Sequence, residues 1–365
     1  MKVVFLVHSL RKGGAEKLVL ELATSKVDLN AEITIVSWVD TMEYLEEKYR
    51  CVEYTSILPE KDYKWLFSLK SSSRKLNKIL KEISPDSVFI FSHSVLWLAL
   101  TSSYRTSYVN VIQGFNQISK FRKLKKLLYR PIDIISSRLL DFDVITPTQA
   151  LANEVAKYFL INPNKIKIIP NGVEVANNYM VINDNKTFTI CMLGTLGRQK
   201  GQHLAIEAIV SLLESCPQMK LNIIGEGVLR DYLTEEILKL NLENNVFLLG
   251  RVDDVFKIMK DADIFWHLSI TEGMPLAIIE AMALGLPIIG FDVEGVRDVV
   301  KENQNGYLVK YGDVNSVVEK TKELLDSDST RKLMSRKSQE LYNSRYKKEF
   351  MLEGYKESIE NCYNL

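Results

Sequence analysis

Several patterns that would place a protein in a class at once are missing from this sequence. Its four cysteines, Cys51, Cys191, Cys216 and Cys362, show no CxxC spacing, which argues against a zinc site or a disulfide framework and fits a reducing compartment. No segment approaches the roughly 20 consecutive apolar residues that span a bilayer, so any membrane contact is expected to be peripheral. The first stretch, MKVVFLVHSLRKGG, is too short in its apolar run for a signal-peptide core and predicts a buried strand.

An excess of one charge is also missing from the chain as a whole. The formal net charge is +1, which argues against a dedicated nucleic-acid binder. The first 173 residues nevertheless hold 25 Lys and Arg against 17 Asp and Glu, and the remainder holds 22 against 29. A basic face is therefore expected on the first half only. The chain contains no GxxxxGK[ST], HExxH or GxSxG motif.

What the sequence does contain is a regular alternation of strand and helix patterns. Apolar runs such as KVVFLVH, EITIVSW and SVFIFSH alternate with amphipathic stretches, and the alternation restarts after PNGVEV with TFTICMLG and KLNIIGEG. This predicts an α/β protein with two Rossmann-like, doubly wound domains that face a central cleft. The expected limits are 1–172 for the first domain, 173–342 for the second, and 343–365 for a terminal helix that crosses back onto the first.

Ligands of open α/β sheets bind at the carboxyl ends of the strands, so the loops there are the candidate site. In HSLRKGGAE, Gly13 and Gly14 precede a helix start near Ala15, whose free amides suit an anion. A glycine pair is equally consistent with ordinary turn geometry. In LGTLGRQKG, Arg198 and Lys200 lie beside the next helix, which favours a diphosphate. A solvated basic loop is the alternative.

Two glutamates flank an apolar stretch, TEGMPLAIIEAMALGLPIIG, at 271–290. Pro275 predicts the start of a helix and Gly285 its end. Glu272 then follows the strand DIFWHLSI, whereas Glu280 lies inside the helix among apolar residues. Because an unpaired buried carboxylate is costly, Glu280 is expected to accept hydrogen bonds from the two hydroxyls of a ribose. Capping of a neighbouring loop within the same domain is the alternative.

One histidine is well placed for chemistry. His93 closes the strand SVFIFSH at a carboxyl end, where it can touch a substrate. The remaining three histidines are expected to be structural: His8, His203 and His267.

A basic stretch, ISKFRKLKKLLYR at 118–130, has apolar residues at spacings of three and four. This predicts an amphipathic helix that can lie on an anionic membrane surface. Packing of its apolar side on the domain core, with the charges in solvent, is the alternative. The candidate membrane-facing residues are Lys120, Arg122, Lys123, Lys125, Lys126 and Arg130.

The motifs GGAE, SH, PNGV, GTLGRQKG, GEG and EGMPLAIIE, in this order, resemble those of the family-four retaining glycosyltransferases of GT-B fold. The resemblance covers nearly the whole chain, and the E-x7-E spacing of Glu272 and Glu280 is its most specific element. It implies a nucleotide-sugar donor, expected to be a UDP-sugar, bound mainly by the second domain. It also implies a glycan or lipid-linked acceptor held mainly by the first domain, retention of the anomeric configuration, and no metal or other cofactor.

The resemblance also implies roles for particular residues. His93, Lys200 and Glu272 would serve the reaction, at the donor sugar, the diphosphate and the transferred sugar respectively. Glu280 would bind the ribose. Thr195 occupies a position where relatives commonly carry arginine, and Arg198 is the expected substitute. The implied donor site comprises Gly13, Gly14, Thr195, Arg198, Lys200, Arg251, Val252, Glu272, Gly273, Met274, Pro275, Leu276 and Glu280.

The DxD pattern, by which other sugar transferases hold a divalent cation, occurs twice, at 141–143 and 261–263. Each copy directly precedes a predicted strand and thus belongs to the amino end of its sheet. These aspartates are expected to be turn residues, and no catalytic metal is expected.

The resemblance places the enzyme in the cytoplasm, at the inner face of the plasma membrane, in cell-envelope or capsular polysaccharide synthesis. A nucleotide-sugar epimerase of the same architecture is one alternative, and a weakly active, membrane-docking partner of another transferase is a second. Nucleic acid is not an expected partner.

Overall fold

Two parallel β-sheets organise the chain, one in each of two units. The computed structural model describes residues 1–11, 13–25, 28–41, 49, 51–59, 65–114, 123–175 and 187–363, without the side chains of 59, 65–68 and 123–129. The first unit comprises Met1–Pro170 with Glu349–Leu365, and the second comprises Asn171–Lys348.

The first unit contains a seven-stranded parallel sheet in the order β3-β2-β1-β4-β5-β6-β7. Its strands are β1 (Lys2–Val7), β2 (Glu32–Asp40), β3 (Glu53–Pro59), β4 (Ser87–Ile90), β5 (Ser107–Val111), β6 (Asp143–Thr146) and β7 (Ile166–Ile168). Among the described residues, its helices before the terminal segment are α1 (Gly14–Thr24), α2 (Trp65–Ile83), α3 (His93–Leu100), α4 (Lys123–Leu139) and α5 (Gln149–Phe159).

Strand β1 shows why the strands read as continuous apolar runs. Val3 and Phe5 pack into one hydrophobic cluster, whereas Val4 and Leu6 pack into another. Since successive side chains of a strand point to opposite faces, both faces of this sheet are buried.

The second unit contains a six-stranded parallel sheet in the order β10-β9-β8-β11-β12-β13. Its strands are β8 (Thr189–Leu193), β9 (Lys220–Ile224), β10 (Val246–Gly250), β11 (Ile264–His267), β12 (Ile288–Phe291) and β13 (Gly306–Val309). Its helices are α6 (Gln202–Leu213), α7 (Arg230–Lys239), α8 (Val255–Met259), α9 (Leu276–Ala283), α10 (Glu294–Val299), α11 (Val314–Asp326) and α12 (Asp328–Leu341).

The last helix, α13 (Lys348–Tyr363), contributes to the core of the first unit. Met351, Tyr355 and Ile359, at spacings of four, are buried in the cluster that also holds Val3 and Phe5. The terminal segment thus lies with the first unit from Glu349 onwards, whereas the expected limit was 343. The residues in between form one π-helical turn, Tyr342–Tyr346. Among the described residues, no helix combines the length and apolarity needed to cross a membrane.

Candidate functional site

The strand order of the second unit brings two loops together. Strands β8 and β11 are neighbours, while the strands that follow each of them lie on opposite sides of the sheet. Such a switch point leaves a crevice outside the carboxyl ends of the strands, where ligands bind. The loop at 194–201 follows β8 and carries Lys200, and the loop at 268–275 follows β11 and carries Glu272.

Lys200, Glu272 and His267 form a cluster at this switch point. Lys200 Nζ donates to Oε1 of Glu272 at 2.5 Å, and Nε2 of His267 lies 3.1 Å from the same oxygen. His267 is buried and Lys200 is partly exposed. The carboxylate of Glu272 is thus nearly buried and bound by both His267 and Lys200, and the lysine side chain is partly exposed to solvent.

The environment keeps Glu272 ionised. Burial favours the neutral carboxyl, but the hydrogen bond from His267 and the charge and hydrogen bond of Lys200 outweigh it and lower the pKa of Glu272 from 4.5 to about 2. At neutral pH this side chain is therefore ionised and can accept hydrogen bonds from hydroxyls and amides.

Glu272→Gln is expected to lower the thermal unfolding midpoint at pH 7. The pKa of Glu272 is depressed in the folded protein, so its contribution is complete above pH 4.5 and is lost as the pH falls towards 2. Midpoints of both proteins, measured by circular dichroism between pH 7 and pH 3, should converge as the pH falls. A difference that stays constant over this range would contradict the ionised pair.

Glycines allow the loops of the cluster to approach backbone to backbone. Gly201 has φ +72°, and a Cβ there would lie 2.1 Å from the carbonyl oxygen of Leu268. Gly225 has φ +139°, and a Cβ there would lie 2.1 Å from the carbonyl oxygen of Gly194. Both the left-handed conformation and the short contact exclude a larger residue.

Gly201→Ala is expected to lower the thermal midpoint by about 6 °C or more, because it combines backbone strain with overlap against Leu268. Gly312→Ala is a matched control, since Gly312 has φ +77° but open space around it. The control should lose only about 2 to 4 °C. Equal losses in the two variants would show that close approach at Gly201 is unimportant.

Two helices begin at this site without a side-chain cap. Gly201 precedes α6 and Pro275 precedes α9, and neither position makes a side-chain capping bond. The first amides of a helix have no partner within the helix and favour an anion. Pro275 is the N-cap of α9, so the helix begins at Leu276, one residue later than predicted. It ends at Ala283, before Gly285.

Asn171, from the PNGV motif, holds the loop that carries Glu272. Its Nδ2 donates to the carbonyl oxygen of Met274 at 3.3 Å, and its backbone N–H reaches the sulfur of the same residue at 3.3 Å. The sequence pointed to this motif only through the resemblance. His267, which is expected from the sequence to be structural, instead contacts Glu272, and its position at the end of β11, five residues before Glu272, could have suggested this contact.

The other predicted donor residues of the second unit lie at the carboxyl ends of its strands. Thr195 and Arg198 are exposed in the loop of Lys200, and Arg251 and Val252 follow β10. Glu280 is only 3% exposed, within α9. The remaining members stand between Glu272 and α9 or begin that helix: Gly273, Met274, Pro275 and Leu276.

The aspartates of both DxD copies lie at amino ends of strands, as their order in the sequence predicted. Asp141 pairs with Lys165 at 2.6 Å, and Oδ2 of Asp263 accepts the N–H of Thr189 at 2.8 Å. Each of these two carboxylates therefore joins the starts of two neighbouring strands, β6 with β7 and β8 with β11.

The first unit has its own switch point, between β1 and β4. His93 follows β4 as the first residue of α3, and its Nε2 lies 2.9 Å from Oδ1 of Asp133 in α4. Gly14 opens α1 after β1, and Gly13 precedes it without a side-chain cap. Gly13 has an extended backbone, φ −162°, which any residue adopts. Conformational freedom therefore does not explain the glycine at this position. A Cβ there would lie against the carboxylate of Glu16, and the helix-start amides are the feature of this loop that suits an anion.

The candidate membrane face is described only in part. Lys120 and Arg122 lie outside the described residues, and Lys123, Lys125 and Lys126 begin α4 without described side chains. Arg130 is partly exposed and is bound to the end of a neighbouring helix. Its Nε and Nη2 donate to the carbonyl oxygens of Tyr158 and Lys157 at 3.2 and 3.1 Å, because these carbonyls end α5 and need donors.

Comparisons with known proteins show the family to which the chain belongs. The model of the family described as Glycosyl transferases group 1 matches residues 181–341, and that of Glycosyltransferase Family 4 matches residues 12–177. An uncharacterized glycosyltransferase of Methanocaldococcus jannaschii is 30% identical over 279 residues, which cover 68% of each chain.

Two further similarities extend over nearly the whole chain. The N-acetylgalactosamine-N,N'-diacetylbacillosaminyl-diphospho-undecaprenol 4-alpha-N-acetylgalactosaminyltransferase of Campylobacter jejuni is 26% identical over 357 residues, covering 92% of this chain and 93% of that protein. The crystal structure of Anabaena HepE in complex with UDP-glucose superposes with a TM-score of 0.82 at 20% identity, covering 99% of this chain and 100% of that one. The chain therefore belongs to the group 1 glycosyltransferases of GT-B fold, with one Rossmann-like domain around each parallel sheet.

Proposed function

We propose that this glycosyltransferase moves a sugar from a UDP-sugar to a glycan or lipid-linked acceptor of the cell envelope, with retention and without a metal. The observation that carries the proposal is the cluster of Lys200, Glu272 and His267 beside two uncapped helix starts. Two similar proteins support the substrate classes, because one was crystallised with UDP-glucose and the other is named for a diphospho-undecaprenol acceptor.

The chemistry follows from charge. When the bond between the sugar and the diphosphate breaks, its electron pair stays on the leaving phosphate oxygen. Over the whole reaction an acceptor hydroxyl oxygen bonds to the sugar carbon, and the hydroxyl proton passes to the leaving diphosphate. Lys200 and the helix-start amides can stabilise the negative charge that develops on the leaving oxygen. Glu272, ionised, can accept from hydroxyls of the transferred sugar, and His93 is assigned to the donor sugar from the first unit.

The proposal is tested first by ligand binding and then by turnover. Thermal shifts are measured with UDP, GDP and ADP, followed by UDP-sugars and a diphospho-undecaprenol glycan with and without EDTA. We expect UDP to raise the thermal midpoint of the protein. We also expect transfer that persists in EDTA and gives a product with the anomeric configuration of the donor. An epimerised nucleotide sugar formed without acceptor would favour the epimerase, and binding without turnover would favour a docking partner.

The exposed apolar residues of α4 support peripheral contact with an anionic membrane. Ile132, Ile135 and Leu139 are 40%, 50% and 63% exposed and follow one another at spacings of three and four, on the helix that begins within the basic stretch. Such a stripe can enter the headgroup region while lysines near the helix start attract anionic lipids.

The double variant Ile135→Ser and Leu139→Ser is expected to float with phosphatidylglycerol vesicles at least about tenfold less than the wild type, since each side chain contributes roughly 1 kcal/mol or more on burial. Val228→Ser, which alters an exposed residue of the second unit, should float normally. Equal flotation of all three proteins would argue against this surface.

A further inference from the structure

A buried aspartate connects α3, α4 and α5 beneath His93. Asp133 is completely buried, and its Oδ1 accepts from Nε1 of Trp97 at 2.8 Å while its Oδ2 accepts from the hydroxyl of Tyr158 at 2.7 Å. Nε2 of His93 lies 2.9 Å from Oδ1. Three aromatic side chains therefore meet one carboxylate.

The hydrogen bonds from Trp97 and Tyr158 satisfy the carboxylate of Asp133. Trp97 and Tyr158 are themselves buried, so their hydrogen bonds to Asp133 are shielded from water. Burial and the neighbouring Asp133 raise the pKa of Tyr158 well above its usual range, so its hydroxyl remains a donor. Each oxygen of Asp133 thus already has one well-directed donor, which meets the main cost of burying the group.

Asp133 has a third neighbour, His93, in addition to the two donors that already satisfy its buried oxygens. The imidazole is 12% exposed at the carboxyl end of β4 and lies edge-on to Trp97, with ring centroids 5.4 Å apart. Its Nε2 is close to Asp133 but poorly directed for a hydrogen bond. Contacts of this kind in active sites commonly tighten when substrate binds.

We propose that Asp133 is a positioning residue for the transfer reaction, which orients the imidazole of His93 through Nε2. This inference rests on the proposed function, in which His93 lies at the donor sugar. Asp133 touches no substrate and acts only through the histidine. Because Trp97 anchors Oδ1, the carboxylate oxygen that faces His93 has a defined position, from which it can hold the imidazole when the contact tightens.

The kinetic test compares Asp133→Asn with Tyr158→Phe. Asparagine has the size of aspartate and can still accept from Trp97, whereas Tyr158→Phe removes a donor from Asp133 and leaves His93 intact. We expect Asp133→Asn to lower kcat by about 10- to 100-fold, the usual loss when the partner that orients a histidine is removed, with KM for the UDP-sugar within about twofold. Tyr158→Phe should retain most of its kcat, because Trp97 still donates to Oδ1, the oxygen that faces His93, while its thermal midpoint falls.

A double variant separates positioning from a general structural role. If Asp133 acts through the histidine, His93→Ala with Asp133→Asn should have the kcat of His93→Ala alone. Losses that multiply, or a loss of kcat in Tyr158→Phe as large as that in Asp133→Asn, would overturn the inference.

A spectroscopic readout is independent of turnover. The imidazole nitrogen signals of His93, assigned by their absence in His93→Ala, should change in Asp133→Asn and remain nearly unchanged in Tyr158→Phe. Unchanged signals in Asp133→Asn would overturn the inference even if activity fell. If Asp133→Asn changes the signals of His93 but the wild type transfers no sugar, orientation of the ring by Asp133 is supported and the proposed function is rejected instead.

Discussion

Lys200→Ala is expected to lower sugar transfer by about 100- to 1,000-fold, the usual loss when one charge-stabilising donor is removed from an active site. Lys200 is bound to Glu272 at the switch point of the second sheet and is partly exposed. A diphosphate that reaches this loop would share the ammonium group with Glu272. Initial rates at saturating and limiting UDP-sugar measure the effect. Most of the loss should be in kcat, because negative charge develops on the leaving oxygen only as the bond breaks.

Arg198→Ala is the matched control within the same loop. Arg198 and Lys200 belong to one short 3-10 turn, but Arg198 is exposed. If Arg198 replaces the arginine missing at Thr195, its loss should weaken donor binding and leave kcat less affected than the loss of Lys200. Unchanged donor affinity and turnover would exclude that role. Wild-type rates in Lys200→Ala, with an unchanged thermal midpoint, would refute the assignment of the diphosphate to this cluster.

Glu280→Gln is expected to raise KM for the UDP-sugar by about 100-fold, because two hydrogen bonds from the ribose to a charged acceptor contribute about 1.5 to 3 kcal/mol each. Glutamine has nearly the same shape, so the buried position in α9 is not emptied. Isothermal titration with UDP measures the same loss directly.

The 2'-deoxy form of UDP distinguishes ribose binding from loop capping at Glu280. Removal of the 2'-hydroxyl should weaken binding to the wild type by about tenfold or more. The affinity of Glu280→Gln should fall much less, because the carboxylate that accepts from this hydroxyl is already altered. If both proteins lose the same affinity, and Glu280→Gln is mainly less stable, the glutamate is a structural cap instead.

Much of the fold could be predicted because its cause is local. The runs of β1 and β8 are apolar throughout since parallel strands are covered on both faces, and the alternation with helices follows directly. Pro275 and Gly285 marked the limits of α9 to within one or two residues. The domain limit near 343 was less accurate, because one π-helical turn extends the second unit before α13 begins.

The site was predicted less completely, because its contacts join residues far apart in the chain. Lys200 and Glu272 were each selected from their own loops, but nothing local shows that they meet across 72 positions. His267 and Asp133 were passed over because a single histidine or aspartate has no periodic pattern. Arg130 was assigned to a membrane face by composition, whereas the carbonyls at the end of α5 bind it.

The sequence by itself determined the class of fold, the order of its elements and the loops in which donor chemistry is expected, because hydrophobic period, glycine and proline act over a few residues. Only the tertiary structure decided which of those loops touch. The neighbouring positions of β8 and β11 place Lys200 against Glu272, and the packing of α4 under α3 places Asp133 against His93. Such pairings depend on strand order and on the burial of charge, which are properties of the folded chain as a whole.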